Sequence, residues 1–364
     1  MDNHLLTRSN YMEELSGMTI SINEAIELGV ELVKMDQNLL LVGQPGVGKT
    51  DAATIIGQRT NRKLFIEHPA VSAPEDYKGF AMWADGDADF HPLGQMKDIL
   101  NHKEPLIWFL DDLGQAPLAV QNGLMQFVHA RGRAMGRHVL PPHTAVIAAT
   151  NRRKDNAGVM GLTEPIKNRF TTIVHVDADL EGWTQWALSN KIDPMIIAYL
   201  HYRPENLSKF EPNKDFSQSP TPRGWENVNK LLKVKTDSPR LKLEMITGAV
   251  GAAVAQEYSQ FELVLKDLPD LDDIEAGHAA KSELNNNQAY AVCGALSVRG
   301  LTDAKLINVT KFVEGLQMEF QVLWSELWYK TNKEQTDRAT TQPLVEGKAW
   351  GSWIQNHADS ISLS

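Results

Sequence analysis

The chain has 364 residues, of which 42% are hydrophobic, and that suits a globular protein of two or more domains. A formal net charge of -10 sets the surface as a whole against nucleic acid, leaving only a local basic pore open to that chemistry. Cys293 is the single cysteine, which excludes an intramolecular disulfide and a cysteine-built zinc site and fits a reducing compartment.

Ser21-Ile22-Asn23-Glu24 has capping-box spacing, and Ile22, Ile26, Val30 and Val33 recur at helical intervals behind it. This predicts a one-sided packing helix. Leu39-Leu40-Leu41-Val42 then forms an apolar strand, followed by Gly43-Gln44-Pro45-Gly46-Val47-Gly48-Lys49-Thr50, a match to G-x-x-x-x-G-K-[ST]. The glycines allow a sharp turn that brings N–H groups close to phosphate oxygens. A helix starting near Gly48 aims its positive end at the same phosphates. Lys49 is placed to neutralise β- and γ-phosphate charge, and Thr50 to bind Mg2+ through its hydroxyl.

Lys63 to Glu67 reads as a second strand, and Pro69 to Tyr77 is turn-rich. Phe80 to Ala84, the turn Asp85-Gly86-Asp87 and Ala88 to His91 give a hairpin signal. Its Trp83 and Phe90 either grip a partner or pack down; both stay open. Leu106 to Leu110 is a buried-strand run ending in Asp111-Asp112. At a strand's carboxyl end, where ligands sit in open α/β sheets, Asp111 is placed to hold Mg2+ through water. Asp112 is placed to orient or deprotonate the attacking water. Ala116 to Ala130 is helical in pattern, and the Gly-rich, basic Arg131 to Leu140 predicts another hairpin. Ala145 to Thr150 is a third buried strand, capped by Asn151, whose amide suits the γ-phosphate and the water. Leu162 to Phe170 predicts a short helix, and Thr171 to Val176 a further strand.

From Leu180 the strands stop. Thr221-Pro222-Arg223 predicts a helix start, with an arginine in a first turn that the helix dipole disfavours, which hints at another job for Arg223. Leu241 to Leu265 and Lys305 to Tyr329 are long helical patterns, and Asp267 to Asn287 is acidic enough to read as a loop. The stripe Phe312, Phe320, Leu323, Trp324, Leu327 and Trp328 is expected to be core or subunit contact. Met1-Asp2-Asn3-His4 lacks a signal pattern and the most apolar stretch, Ala249 to Ala255, is too short for a bilayer, so a soluble cytoplasmic protein is expected.

With the P-loop, Asp111-Asp112, Asn151, Arg169 and Arg223 in this order, the chain resembles an AAA+ ATPase, and more narrowly its MoxR-like branch, over about residues 18–265. The segments carrying the resemblance are Phe109 to Pro117, Ala148 to Arg152, Leu162 to Phe170 and Thr221 to Arg223. It implies an α/β P-loop domain with a parallel sheet (residues 1–178), an α-helical lid (179–268) and a helical C-terminal extension (269–364). It implies Asn151 as sensor 1, Arg169 as an arginine finger reaching a neighbouring subunit's ATP, and Arg223 as sensor 2. The hairpin from Phe80 to His91 would face a central pore. The assembly would be a hexameric ring, often paired with a von Willebrand factor A-type domain protein, that hydrolyses ATP with Mg2+ to remodel a protein partner. The family's usual Asp-Glu is here Asp111-Asp112, one methylene shorter, which leaves slow hydrolysis, a deeper-seated water and a non-hydrolysing scaffold open. Arg152 and Arg153, beside Asn151, are further candidates for the trans-acting arginine.

Two rivals remain. Asp111 to Gly114 fits D-x-x-G and Asn190-Lys191-Ile192-Asp193 fits N-K-x-D, as in a GTPase, but the second follows a helical pattern where a buried strand is required. Arg131, Arg133, Arg137 and His138 would suit the pore of a nucleic-acid motor or loader, against the acidic balance of the chain.

Overall fold

A computed structural model describes residues 19–331, apart from 85–86, 129–132, 136, 153–160, 211–216, 265–268, 279–283, 298 and 300. The expected turn at Asp85-Gly86, together with Arg131 and Arg153, lies outside the described residues. The chain divides into two units, Met1–Asp179 with Phe210–Lys214, and Leu180–Lys209 with Asp215–Ser364.

In the first unit, β1 (Ile20–Ser21) runs straight into α1 (Ile22–Lys34). Ser21 Oγ accepts from Glu24 N at 3.2 Å, and the Glu24 carboxylate accepts from Ser21 N at 2.8 Å, completing the expected capping box. Next come β2 (Leu39–Gly43), α2 (Lys49–Thr60), β3 (Lys63–Glu67) and α3 (Pro74–Lys78). The hairpin β4 (Phe80–Ala84) and β5 (Asp87–His91) precedes α4 (Gly94–Asn101), β6 (Leu106–Leu110) and α5 (Leu118–Phe127). A second hairpin, β7 (Ala134–Met135) and β8 (His138–Val139), leads to β9 (Thr144–Thr150), α6 (Glu164–Lys167) and β10 (Thr172–Asp177).

Six strands form one parallel sheet in the order β1-β10-β2-β9-β6-β3. Leu39, Leu41, Ile107, Phe109 and Ile147 join one core cluster with residues of α1 and α2. Leu40, Leu106, Trp108, Leu110 and Val146 join another with α4 and α5. Because both faces are covered, β2, β6 and the stretch Ala145 to Ala149 of β9 are continuous apolar runs rather than alternating ones. Each such fully buried side chain stabilises the fold by about 1.5–3 kcal/mol. The register sets Val42 beside Thr150, Leu110 beside Ala148 and Gly43 beside Val176, so the motif segments following these strands leave the sheet along one edge.

The described part of the second unit is helical: α7 (Leu180–Ser189), α8 (Pro194–Tyr202), α9 (Pro222–Leu231), α10 (Pro239–Val250), α11 (Ala252–Val264), α12 (Leu271–Ala276), α13 (Asn286–Ser297), α14 (Asp303–Val313) and α15 (Met318–Thr331). Three expectations are corrected. Leu241 to Leu265 is two helices, not one, because the chain breaks at Gly251 (φ 84°), where a Cβ would lie 2.6 Å from Gln218 O. Lys305 to Tyr329 likewise breaks between Val313 and Met318. The acidic stretch Asp267 to Asn287 contains α12, whose Ile274 and Glu275 are buried; Glu275 pairs with Lys305 Nζ at 2.5 Å and with Arg299. Phe320, Leu323, Trp324, Leu327 and Trp328 are all buried, with Trp324 and Trp328 stacked at 6.0 Å, so these residues of the stripe are core, while Phe312 is half-buried.

Candidate active site

The loop after β2 is built by glycine. Gly46 and Gly48 hold φ of 77° and 101°, a region that side chains disfavour. At Gly43 a Cβ would stand 2.7 Å from Val176 O, so the backbone there tolerates no larger residue without a shift. α2 starts from Gly48 with no side-chain cap, and the amide groups of its first turn form an anion-binding end of the helix.

Lys49 is buried, and its ammonium donates to Gly43 O at 2.8 Å, Gln44 O at 2.9 Å and Asn151 Oδ1 at 2.9 Å. Asn151 Nδ2 in turn donates to Asp112 Oδ1 at 3.2 Å. Asp112 N donates to Asp111 Oδ1 at 3.0 Å, and Thr50 Oγ1 donates to Asp111 Oδ2 at 2.8 Å. One hydrogen-bonded chain thus runs Lys49, Asn151, Asp112, Asp111, Thr50, drawn from three neighbouring strand ends. Asp112 sits at φ 52°, a left-handed position uncommon outside glycine, Asn and Asp, which turns it out of the line of β6.

The donor set suits Mg2+. Thr50 Oγ1 and the Asp111 carboxylate are hard oxygens already adjacent, and Mg2+ beside phosphates takes only one or two protein ligands.

Arg169 lies at the opposite edge. Its carbonyl accepts from Asn38 Nδ2 at 3.2 Å, at the amino end of β2, and its guanidinium donates to Pro165 O in its own turn. Arg223 belongs to the helical unit, exposed on the first turn of α9, where Thr221 Oγ1 caps Gly224 N at 3.0 Å. The N-K-x-D match also belongs to that unit. Asn190 follows α7, Lys191 turns the chain at φ 55°, and Asp193 caps α8 by accepting from Met195 N at 2.9 Å. Its residues make helix ends, which removes the strand context a guanine-reading loop needs.

Two acidic residues were not singled out by sequence. Asp177, the last residue of β10, accepts from Gln44 Nε2 at 2.7 Å and from Arg152 Nη1 at 3.3 Å. Glu67 ends β3 in register with Leu110, and its carbonyl accepts from Asp111 N at 2.8 Å. Burial pushes the Glu67 carboxyl up, Asp76 adds to the rise, and His68 opposes it. Neither residue belongs to a local motif, so only the strand pairing could have found them.

The two hairpins are joined. His138 Nε2 lies 2.7 Å from Phe90 O, and Arg137 pairs with Asp89 at 3.2 Å. Lys78 Nζ sits 3.8 Å from the Phe90 ring centroid. On β4, Trp83 is 76% exposed, with Phe80 and Met82 also exposed beside it. No helix among the described residues is long and apolar enough to cross a membrane.

Residues 38–170 match a family model described as an AAA domain of the dynein-related subfamily. Similar solved structures include the RuvB Holliday junction branch migration motor of Thermotoga maritima, 16% identical over 79% of this chain and 87% of that chain, with a TM-score of 0.39. Another is NtrX of Brucella abortus in complex with ADP, 15% identical over 93% and 70%, with a TM-score of 0.38.

Proposed function

We propose, from the premise that residues 38–170 are a P-loop ATPase domain of AAA type, that this chain hydrolyses ATP with Mg2+ at sites shared between subunits of a ring and so remodels a protein partner. The observation that carries the shared site is the place of Arg169. Its carbonyl is tied to Asn38, the residue just before β2 and five residues before Gly43. At about 3.3 Å per residue, roughly 16 Å of strand separates it from its own phosphate loop, further than its side chain extends.

Within the site, Lys49 and the loop amides hold the phosphates. Thr50 and Asp111 would hold Mg2+, which would supply charge neutralisation at the phosphates. Asp112 takes the proton of the attacking water, and Asn151, bonded to both Asp112 and Lys49, aligns that water with the γ-phosphate. Arg169 of an adjacent subunit stabilises charge in the transition state, and Arg223 closes the helical lid. A MoxR-like hexamer acting with a von Willebrand factor A-type domain protein is the assembly this reading favours, with residues 179–268 as the lid and 269–364 as an extension. The exposed Trp83, Met82 and Phe80 support a hairpin that grips protein.

A nucleic-acid motor is the second reading, and the basic second hairpin is what favours it. Against it, Arg133 turns inward to Asp36 O and Asn38 Oδ1, and Arg137 is paired with Asp89. DNA that stimulates ATP turnover severalfold would transfer the assignment to that class.

Mixing two inactive variants tests the shared site. Lys49→Ala cannot bind ATP but still offers Arg169, and Arg169→Ala binds ATP but lacks the finger. Mixed assemblies recover part of the wild-type turnover if the arginine acts on its neighbour. Full turnover by Arg169→Ala alone, or by a monomer, ends this assignment.

A further inference from the structure

We propose that Asp177 is a positioning residue that locks the phosphate loop to the end of β9 by clamping Gln44 and Arg152 with one carboxylate. The inference rests on the nucleotide-site reading above and adds a residue to it. Oδ1 of Asp177 accepts from Gln44 Nε2 at 2.7 Å and from Ala178 N at 3.0 Å, and Oδ2 accepts from Arg152 Nη1 at 3.3 Å.

These bonds close a ring. Gln44 O accepts from Lys49 Nζ, Lys49 Nζ donates to Asn151 Oδ1, and Asn151 is bonded through the backbone to Arg152. Arg152 then returns to Asp177. Both ends of the Lys49–Asn151 bond are therefore held by the same carboxylate, one through Gln44 and the other through Arg152. Gln44 is 5% exposed, so its amide needs a partner inside the protein. The Arg152 pair is partly exposed, with side chains 17% and 37% accessible, and such a pair adds little to folding stability. Its effect is geometric.

Strand pairing explains why this residue does the work. β10 lies beside β2 with Val176 opposite Gly43, so the next residue of β10 stands beside Gln44. Only two residues separate Asp177 from Leu180, the start of the helical unit. The clamp thus sits where the chain leaves the ATPase domain.

The acceptor count makes the clamp testable. Gln44 Nε2 and Arg152 Nη1 are both donors, and a carboxylate can accept from both. The isosteric Asp177→Asn has one side-chain acceptor and keeps at most one of them. Displacing a catalytic group by about 1 Å costs on the order of 10²-fold in rate, whereas backbone contacts to phosphate persist. The experiment measures steady-state turnover with saturating Mg-ATP, affinity for a fluorescent ADP analogue, and thermal unfolding. The variants are Asp177→Asn, Asp177→Ala, which removes both bonds, Gln44→Ala, and the double variant of Gln44→Ala with Asp177→Ala; Gln44→Ala breaks the Gln44 bond from the other side if the Asp177 variants fold poorly. The expected result is a kcat lowered about 10- to 100-fold, with ADP affinity changed less than about threefold and a double variant no worse than the poorer single one. Wild-type kcat in Asp177→Asn, additive losses in the double variant, or kcat, affinity and melting falling together would overturn the clamp. A wild-type chain that turns over no ATP would instead overturn the site reading beneath it.

Discussion

The two edges of the central sheet both carry buried polar clusters, and they are built on opposite principles. At the amino edge, Asn38 is 1% exposed and spends its whole hydrogen-bonding capacity inside the protein. Nδ2 donates to Val128 O at 2.8 Å and Arg169 O at 3.2 Å, and Oδ1 accepts from Val146 N and Arg133 Nη2, each at 3.2 Å. Burial lowers the pKa of the Arg133 guanidinium, with Asp36 opposing the shift. At the carboxyl edge, a helix begins on a glycine without a side-chain cap, and an aspartate occupies a left-handed backbone position. The amino-edge cluster is built to fix the fold; the carboxyl-edge cluster, with its left-handed aspartate and a helix N-terminus that no side chain caps, is arranged as for a ligand. The same sheet therefore separates stability from chemistry by strand direction.

Substitutions at the two edges should differ in kind. The largest effect is expected at the carboxyl edge: Lys49→Ala abolishes ATP binding and lowers turnover by about 10³-fold or more. Titration of nucleotide with calorimetry and a turnover assay check this together. Arg169→Ala comes next: on the proposed shared site, turnover falls about 10²- to 10³-fold while ATP binding is kept. Asn38→Ala tests the other side of the comparison. It strands several buried donors and acceptors, so denaturant unfolding should show a loss of about 2–4 kcal/mol. A variant that melted normally but lost turnover would erase the distinction between the edges.

The smallest effect is expected at Asp36, which accepts from Arg62 Nη1 at 2.7 Å and lies 2.9 Å from His143 Nδ1. Burial alone would raise its carboxyl, but the bonds from Arg62 and His143 outweigh burial and lower it below 3.8. A lowered folded-state value means stability that is present above 3.8 and lost as pH falls through the folded value. Asp36→Asn should therefore lower the melting temperature slightly at neutral pH and leave the acid end, where the wild type has already lost this contribution, nearly unchanged, so that the acid limb flattens. An unaltered acid limb would remove Asp36 from the amino-edge cluster.

The ATPase core was legible because its chemistry is written in short spans. Gly43 to Thr50, Asp111-Asp112 and Asn151 each follow an apolar run that can only be a covered strand, and the structure joins them in one hydrogen-bonded chain. Asp177 was not legible, because its meaning depends on which strand lies beside β2, and no local pattern encodes that. The helix break at Gly251 hid inside a small-residue run where periodicity continued across it. α12 hid within an acidic stretch because the cations that pair with Glu275, Arg299 and Lys305, lie far downstream. Local signals reveal groups that act on a shared ligand; they are silent on groups whose partners are chosen by topology.

The joined hairpins carry a mechanical consequence. β4–β5 hangs on β7–β8 through Phe90 with His138 and Asp89 with Arg137. The near root of β7–β8 is Arg133, whose guanidinium is moored to Asp36 O at 2.8 Å and to Asn38. A run of hydrogen bonds and one ion pair thus connects the ribbon that carries the exposed Trp83 with the foot of the strand that ends in the phosphate loop. The two small ribbons are thereby tied to the central strand of the sheet rather than to each other alone.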